Sequence, residues 1–273
     1  TKPFAFDEAV TAMLGEAMHA DSGSSVGTLR GGETAMRIRG LRVLRESAPI
    51  DLDLRDGEVT GIIGLIGAGK TELLESLFGA GKRLPGELEL DGSPYAPRHP
   101  KDAVARGVHL VPEDRAAQGM LPGWSIARTL SLPFLARIAS GGVLHRGREN
   151  AVAASAIRDF RVVATGPGQS VDALSGGNQQ KVMVARWMQI APKLLLLDEP
   201  FRGVDIGARR EISRRASEQA ERGACVVVAT SDVDELREMA DRIVVMVEGR
   251  VALDARADEV SNEQIVSSMS EVA

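Results

Sequence analysis

The clearest chemistry lies in residues 64–71, whose sequence is G-L-I-G-A-G-K-T. This stretch matches the P-loop pattern G-x-x-x-x-G-K-[ST] at every specified position. Its glycines let the backbone curl tightly enough for N–H groups to surround phosphate oxygens, Lys70 can reach the β- and γ-phosphates, and Thr71 can ligand Mg²⁺. The stretch therefore predicts a nucleoside triphosphate site. Its members are Gly64, Leu65, Ile66, Gly67, Ala68, Gly69, Lys70 and Thr71.

Two carboxylates, Asp198 and Glu199, directly follow the apolar run of residues 194–197. Ligands of open parallel sheets bind at the carboxyl ends of the strands, where such a run would deliver both acids. The first carboxylate suits Mg²⁺, and the second can orient or deprotonate an attacking water. The pair predicts a site able to hydrolyse the bound triphosphate.

A second candidate anion site begins an amphipathic helix at residues 174–179. A serine hydroxyl, exposed N–H groups and a helix dipole would together bind phosphate there. A chain with one P-loop needs a second such site only if that site serves another subunit, so the pattern predicts a head-to-tail dimer with nucleotide between the subunits. The residues are Leu174, Ser175, Gly176, Gly177, Asn178 and Gln179.

The elements that must position these residues follow from hydrophobic patterns. Residues 59–63 form a β-branched run before the P-loop, and Leu73, Leu74, Leu77 and Phe78 continue after it as one helical face. Further apolar runs predict buried parallel strands, with a helix over residues 206–222 and a final strand pair within 241–251. These strands occupy residues 108–111, 193–197 and 225–229.

Other segments predict two additions to this α/β core. Residues 35–54 alternate apolar and polar positions, which indicates two antiparallel strands, and residues 88–90 before Asp91-Gly92 predict another short strand and turn. A helical turn is predicted from Ala103. Residues 119–160 are mostly helical in pattern, with breaks at prolines and glycines, and predict a helical insertion.

Residues 1–34 do not resemble the start of a domain. Residues 21–32 are rich in Ser and Gly, as in a flexible linker, and residues 8–18 have helical character resembling the C-terminal stretch around Asn262. We expect residues 1–34 to be the C-terminal end of a preceding, similar domain followed by a linker. The alternative is that their resemblance to the C-terminal stretch arose by chance.

Composition narrows the class further. A formal net charge of −5 argues against a nucleic-acid partner, and the single cysteine, Cys225, excludes an intrachain disulfide and predicts a buried thiol. No apolar run reaches the roughly 20 residues of a membrane span, and residues 1–20 lack the pattern of a signal peptide. We expect a chain that is soluble when isolated and that meets a membrane through a partner.

The P-loop, L-S-G-G-N-Q-Q, L-L-D-E-P and R-G-V-D occur here in an order that resembles the ATP-binding-cassette (ABC) ATPases over about residues 35–259. More narrowly, V-P-E-D-R and R-G-V-D-I-G-A are similar to the second cassette of tandem ATPases in bacterial monosaccharide importers. The resemblance implies a P-loop NTPase fold with a RecA-like core, an antiparallel β subdomain and an inserted helical subdomain at about residues 113–175. Residues 35–273 would form this cassette.

The resemblance also implies roles and partners. Asp198 would be the magnesium-side carboxylate, Glu199 the water-activating base and Asp205 part of the loop crossing the dimer interface. ATP and Mg²⁺ would be bound. The implied partners are another cassette, transmembrane permease subunits at the cytoplasmic face of the membrane and, indirectly, a periplasmic or extracellular solute-binding protein. The permease would dock on residues 119–139, through Met120, Leu121, Trp124, Ile126 and Leu130.

Several positions depart from the general cassette pattern. Glu113 replaces a glutamine and adds a negative charge that Mg²⁺ or Arg115 would balance, and Ser231 replaces the histidine near the γ-phosphate. No aromatic residue occurs between Phe6 and Phe78 to stack on adenine, so the base would rest on aliphatic or Arg surface near residues 41–45. Phe201 stands where the sugar-importer group usually has threonine.

Two other readings remain open at this point. A cassette ATPase of DNA repair or translation would carry a long coiled-coil insertion or a basic linker, and residues 121–165 are short and mixed in charge. A regulatory module that binds ATP with low turnover is compatible with Glu113 and Ser231. The sequence favours an ATP-hydrolysing domain that powers solute import.

Overall fold

The computed structural model describes residues 32–81 and 84–270. Most of the predicted linker and preceding-domain tail at residues 1–34 lies outside the described residues. Within the described part, strands and helices alternate in the α/β order that the apolar runs predicted.

Six strands of the described chain form the central sheet, in the order β12-β11-β3-β10-β9-β6. The strands from β11 to β6 run parallel, and β12 pairs antiparallel with β11 at one edge. Continuous apolar runs form these strands because both faces of the sheet are covered. Their bounds are β3 Val59–Ile63, β6 Val108–Val111, β9 Leu194–Asp198, β10 Cys225–Thr230, β11 Arg242–Val247 and β12 Arg250–Arg256.

A second, antiparallel sheet is formed before and after the P-loop segment. The order of its four strands among the described residues is β2-β1-β4-β5. Both predicted strands of residues 35–54 are present as β1 and β2. The predicted Asp91-Gly92 turn connects the short strands β4 and β5. The bounds are β1 Thr34–Leu41, β2 Ile50–Arg55, β4 Glu87–Leu90 and β5 Ser93–Pro94.

Helices cover the central sheet. One predicted start was wrong: the helix expected from Ala103 begins at Pro100, because Pro fits the first helical turn and His99 and Asp102 cap the N-terminus. The covering helices are α1 Lys70–Phe78, α2 Pro100–Ala105, α6 Gly176–Trp187, α7 Ile206–Glu221, α8 Val233–Arg237 and α9 Asn262–Ser270.

Between β6 and α6 the chain is mostly helical, as expected for the insertion. The segment contains a π-helical turn at Arg115–Gly119 and two short 3₁₀ turns, one of them at Leu132–Phe134 around Pro133. The Gly141-Gly142 break is a β-hairpin that the helical pattern did not predict; both glycines have positive φ, which suits a tight turn. The elements are α3 Ile126–Ser131, α4 Leu135–Ile138, β7 Ala139–Ser140, β8 Val143–Leu144 and α5 Arg146–Asp159.

A ring cluster joins the sheet to the surrounding helices. The buried His109 of β6 lies 5.4 Å from the Trp187 ring and 5.5 Å from the Phe134 ring, and Phe78 meets Trp187 edge-on at 5.7 Å. The His109 Nδ1–H donates to the Trp187 carbonyl oxygen at 2.6 Å. The cluster joins α1, β6, α6 and the helical insertion.

Two further expectations concern exposure. Cys225 is fully buried in β10, and burial raises the pKa of its thiol, as expected of a structural cysteine. No helix in the described ranges is long and apolar enough to cross a membrane.

We predict a pH-dependent stability that depends on His109. Burial lowers the pKa of its imidazole below the ordinary 6.5, so the unfolded chain takes up the proton first as the pH falls. The contribution of neutral His109 to the free energy of unfolding is therefore fully present above pH 6.5 and is lost as the pH falls below it. The loss is at most about 1.4 kcal/mol per pH unit for one proton. Urea unfolding of wild type and His109→Phe between pH 8 and 5 measures this.

The comparison of slopes isolates His109 from carboxyl groups that titrate in the same range. We expect the free energy of unfolding to fall more steeply below pH 6.5 in wild type than in His109→Phe. A variant of the exposed His145 is the control and should keep the wild-type slope. Equal slopes in wild type and His109→Phe would contradict the assignment.

Candidate functional site

The carboxyl ends of four neighbouring strands bring the predicted site residues to one edge of the central sheet. In register, Ile63 of β3 pairs with Thr230 of β10, Ala229 with Asp198 of β9, and Leu197 with Val111 of β6. The P-loop, Ser231, the Asp198-Glu199 pair and Glu113 each follow one of these ends. Sequence-distant segments therefore meet where ligands of parallel sheets bind.

The P-loop turns directly from β3 into α1. Gly69 is the N-cap residue with φ +97°, and a Cβ on Gly64 would overlap the Met246 carbonyl oxygen, so both positions need glycine. Leu65 and Ile66 point outward, and Ile66 is fully exposed. The loop thus presents its backbone N–H groups and the positive end of α1 to one space, which suits a phosphate chain.

Lys70 is buried at the centre of this edge. Its Nζ donates to the Gly64 carbonyl oxygen at 2.6 Å and lies 3.8 Å from Glu199 Oε1. The ammonium thus lies between the P-loop backbone and the second carboxylate. One of these contacts is a hydrogen bond to a neutral carbonyl and the other is a long ion pair. The ammonium can therefore exchange them for phosphate oxygens, which bind it more strongly.

Asp198 and Thr71 form the candidate metal position. The Thr71 hydroxyl hydrogen-bonds the Asp198 carboxylate, which is buried, and Asp198 Oδ1 has no hydrogen-bond partner among the described residues. Burial raises the pKa of Asp198 to about 6, against the opposing effects of the Thr71 hydrogen bond and of Lys70. An unpartnered carboxylate oxygen beside a hydroxyl is the hard oxygen donor set that Mg²⁺ prefers, so these residues fit that ion.

Glu199 has a backbone conformation that is unusual for its residue type. Its φ is +42°, and its N–H donates to the Ala229 carbonyl oxygen of the neighbouring strand at 2.8 Å. A non-glycine residue in this region costs on the order of 1 kcal/mol and persists where the surrounding structure fixes it. The strain aims the Glu199 side chain toward Lys70, which supports Glu199 as the candidate base.

Glu113 is neutralised by a residue that the sequence did not single out for this role. Its carboxylate pairs with the Arg202 guanidinium from the loop after β9, not with Arg115. Arg115 instead contacts Gln179 and the Arg202 carbonyl oxygen. The negative charge at Glu113 is therefore paired with Arg202, which corrects the expectation that Arg115 would balance it.

Ser231 is exposed after β10 and supplies no positive charge at this edge. The next residue, Asp232, caps α8 through its side chain, and the Thr230 hydroxyl donates to Glu235 Oε2 at 2.6 Å. Burial raises the pKa of Glu235, opposed by the Thr230 hydrogen bond, with Glu199 close enough to contribute to the rise. Sequence patterns did not indicate that Glu235 lies near the site, because its position depends on how α8 packs beside Glu199.

The L-S-G-G segment begins α6. Ser175 is the N-cap residue, and its Oγ accepts hydrogen bonds from the Asn178 N–H and from Asn178 Nδ2 at 2.9 Å. A Cβ on Gly177 would lie 2.8 Å from Asp205 Oδ2. Asp205 caps α7 by accepting from the Ala208 N–H at 2.8 Å, so the predicted interface loop and the predicted second anion site are in direct contact.

The predicted nucleobase surface lies beside the P-loop. The buried Val43 is so close to Gly69 that a Cβ on this glycine would lie 2.9 Å from Val43 Cγ1. Around it, Arg42 and Arg45 are exposed and Leu44 is half-buried. The described part of this loop thus offers aliphatic and Arg surface to a base, in line with the missing aromatic.

Phe201 and several arginines that follow it contact neighbouring side chains of the fold. Phe201 is buried, and the Arg209 guanidinium lies 5.8 Å from its ring centroid while pairing with Glu238 at 3.0 Å. Arg214 and Arg215 pair with Glu211 and Glu218 along α7. Arg209, Arg214 and Arg215 are therefore held in ion pairs with acids of the same or a neighbouring helix region.

The predicted docking segment is only partly available to a partner. Ile126 and Leu130 of α3 are buried within the insertion and cannot contact a partner, which corrects that part of the prediction. Trp124 is half-buried, whereas Leu121 is 43% exposed and Leu135 is 37% exposed.

A P-loop, a strand-end carboxylate pair and an L-S-G-G helix start, arranged on this fold, define a nucleotide-binding domain of the P-loop class. The sequence model of the ABC transporter family matches residues 48–202, more than half of the chain. The chain belongs to the ABC transporter family.

Curated relatives narrow the likeness. The chain is 38% identical over 261 residues to the ribose import ATP-binding protein RbsA of Halalkalibacterium halodurans, covering 96% of this chain and 52% of the relative. It is 38% identical over 236 residues to a putative ribose/galactose/methyl galactoside import ATP-binding protein of Agrobacterium fabrum, covering 86% of this chain and 47% of the relative. The chain spans about half the length of these relatives.

Solved structures agree on the fold. The chain superposes with a TM-score of 0.72 on MJ1267, an ATP-binding cassette of an ABC transporter, at 18% identity, covering 86% of this chain and 98% of that one. With cbiO1 from Clostridium perfringens the TM-score is 0.68 at 24% identity, covering 85% and 92%. The fold is that of a P-loop ATP-binding cassette with an antiparallel β sheet and helices added to the mostly parallel core.

We predict that nucleotide binding depends on Lys70. Lys70→Ala removes a buried ammonium from the P-loop and should weaken MgATP binding at least about tenfold, the loss expected for one charge-assisted contact. Calorimetric titration of the purified chain measures the affinity.

The control is Lys101→Ala, an exposed lysine at the start of α2. This variant should keep the wild-type affinity, and both variants should unfold at similar urea concentrations. Unchanged affinity in Lys70→Ala would refute the P-loop assignment.

Proposed function

We propose that this chain is the nucleotide-binding domain of an importer, where it binds and hydrolyses ATP to drive uptake of a monosaccharide. The observation that carries the proposal is the meeting of Lys70, Asp198 and Glu199 at one sheet edge. The names of the curated relatives, which are import ATP-binding proteins for ribose or related sugars, support the substrate class.

In this proposal each residue has a separate task. The P-loop N–H groups and Lys70 bind and orient the triphosphate. Thr71 and Asp198 would hold Mg²⁺, which when bound shields phosphate charge and stabilises charge on the leaving group. Glu199 orients the attacking water and accepts its proton, from the position that its strained backbone fixes.

The L-S-G-G segment would act on a different nucleotide. In a head-to-tail dimer, residues 174–179 face the triphosphate held by the partner's P-loop, where Ser175 and the α6 N-terminus bind its phosphates. The partner would be a second cassette. Because relatives are about twice as long as the chain, we infer that this cassette is the C-terminal half of a tandem protein and that residues 1–34 are the end of the first half.

The remaining partners follow from the import role. Permease subunits would dock at residues 119–139 at the cytoplasmic face of the membrane, and a periplasmic or extracellular solute-binding protein would deliver the sugar to them. The exposed Leu121 and Leu135 support docking there. Nucleic acid is not proposed as a partner, in keeping with the net charge of −5.

A second candidate is a domain that binds ATP but turns it over slowly, in a regulatory role or in a nucleoside-type importer. The exposed Ser231 favours it, because a serine gives the transition state no positive charge. Both candidates share the binding site and differ in whether Glu199 is used for turnover.

In the proposed dimer, each nucleotide site combines the P-loop of one cassette with the L-S-G-G segment of the other. The proposed function predicts that these two sites hydrolyse ATP at different rates. This chain's own site has Ser231 where a cation would assist hydrolysis, whereas its L-S-G-G segment completes the partner's site. If the partner keeps its histidine, transport should fall more in Gly177→Asp than in Glu199→Gln, and the isolated chain should turn over slowly. Sugar uptake by the assembled transporter measures this.

A second variant separates chemistry from folding. A Cβ at Gly177 would meet Asp205, so Gly177→Asp changes local structure as well as charge. Ser175→Gly removes the hydroxyl at a capping cost of only a few tenths of a kcal/mol and should also reduce transport more than Glu199→Gln. Equal losses in all three variants, or fast turnover by the isolated chain, would contradict the asymmetry.

The docking proposal is tested by cross-linking. Cys225 is fully buried, so a cysteine introduced at the exposed Leu121 provides the reactive thiol. We expect Leu121→Cys to cross-link to a permease subunit in membranes. Glu248→Cys, in the turn between β11 and β12, is the control and should not cross-link there. Cross-linking at Glu248 but not at Leu121 would place the docking surface elsewhere.

A further inference from the structure

Arg115 connects two segments that the proposed mechanism uses separately. It lies half-buried at the start of the π-helical turn after β6. Its Nε donates to Gln179 Oε1 at 3.4 Å, and its Nη1 donates to the Arg202 carbonyl oxygen at 3.2 Å. One guanidinium therefore contacts both the L-S-G-G helix and the loop that follows Asp198-Glu199.

Missing side chains make room for this guanidinium. A Cβ on Gly176 would lie 3.0 Å from Arg115 Nη2 and 3.3 Å from the Gly203 carbonyl oxygen. Gly203 has φ +68°, a conformation that favours glycine, and a Cβ there would lie 3.9 Å from the same Nη2. The guanidinium is thus packed between the backbones at residues 176 and 203.

Neither neighbouring acid is paired with Arg115. Glu113 pairs with Arg202, and the Asp114 carboxylate accepts from the Ala116 and Ala117 N–H groups. Within residues 32–81 and 84–270, Arg115 forms no ion pair, and its hydrogen bonds go to an amide oxygen and a carbonyl oxygen. Contacts of this kind depend on the planar fork of the guanidinium and not on attraction between opposite charges.

The other end of the turn is held by the same helix. The buried Arg186 of α6 donates to the Gly119 carbonyl oxygen, and the Met120 N–H returns to the Arg115 carbonyl oxygen at 2.8 Å. Residues 115–119 are therefore attached to α6 at both ends. Glu113, just before the turn, lies near enough to Asp198 to affect its pKa, so this segment extends from the chain's own nucleotide site to the L-S-G-G segment.

We infer that Arg115 is a positioning residue that fixes residues 175–179 against residues 202–203. The inference rests on the proposed function, since it assigns Arg115 to the half of the composite site that the chain offers its partner. The distances on which that site depends are then set by Arg115 and not by the Ser175 cap alone.

Hydrogen exchange tests the positioning directly. In Arg115→Gln, the hydrogen-bonded amides of residues 178 and 179 should exchange at least about fivefold faster than in wild type, because their segment loses a fixed neighbour. Arg148→Gln, an exposed arginine of α5, is the matched control and should leave these rates unchanged. Wild-type exchange rates in Arg115→Gln would overturn the inference, whatever the chain's activity.

Kinetics of the assembled transporter separate positioning from charge and from general damage. We expect Arg115→Gln to lower kcat about tenfold while KM for ATP and the chain's own MgATP affinity stay within about twofold. Arg115→Lys keeps the charge without the planar fork and should not restore kcat. Full rescue by Lys, or an equal loss in Arg148→Gln, would overturn the inference.

The two proposals fail in different ways. Absence of MgATP binding by the wild-type chain would end the proposed function while leaving the exchange result as a statement about Arg115. Normal MgATP binding with unaltered exchange in Arg115→Gln would end the inference and leave the proposed function standing.

Discussion

The structure depends on one constraint: a sheet of continuous apolar strands must be covered on both faces. Strands such as Leu194–Asp198 and Cys225–Thr230 carry no polar face, so helices take both sides and only the strand ends remain open to polar groups. At or just beyond those ends lie Asp198-Glu199, Ser231, Glu113 and the P-loop. The chemistry of the chain is concentrated there because the core excludes it elsewhere.

Crowding these groups at one edge has an electrostatic cost that the fold offsets locally. Burial raises the pKa of Asp198 to about 6, with Glu113 and Glu199 adding to the rise. Lys70 lies among these acids, Arg202 pairs with Glu113, and the half-buried Glu235 accepts from Thr230. A triphosphate would add further negative charge to this edge, and Lys70 and the α1 dipole are the positive groups that the fold places there to offset it.

Sequence patterns predicted the parts of the fold that depend on local periodicity. Continuous apolar runs located β3, β6, β9 and β10, and a full motif match located the P-loop. They missed the β-hairpin at Gly141-Gly142, because its strands have only two residues each and are too short to show an alternation of apolar and polar positions. They also misjudged Ile126 and Leu130, since a helical face looks the same in sequence whether a partner or the protein's own core covers it. Arg202 as the partner of Glu113 was beyond prediction, since 89 residues separate them and only the sheet register brings them together.

The departure at position 113 can be understood through that pairing. A glutamate beside Asp198 adds negative charge to an edge that already carries two other acids. Arg202 supplies a pairing cation from the loop after β9, and the same residue's carbonyl oxygen accepts from Arg115. The substitution therefore ties the loop after β6 to the loop after β9 through side chain and backbone at once. Because the Arg202 guanidinium is 69% exposed, the pair contributes at most about 1 kcal/mol, and its main consequence is that it joins the two loops. Glu113 thus joins the loop after β6 to the loop after β9 at the sheet edge where Lys70 and Asp198 lie.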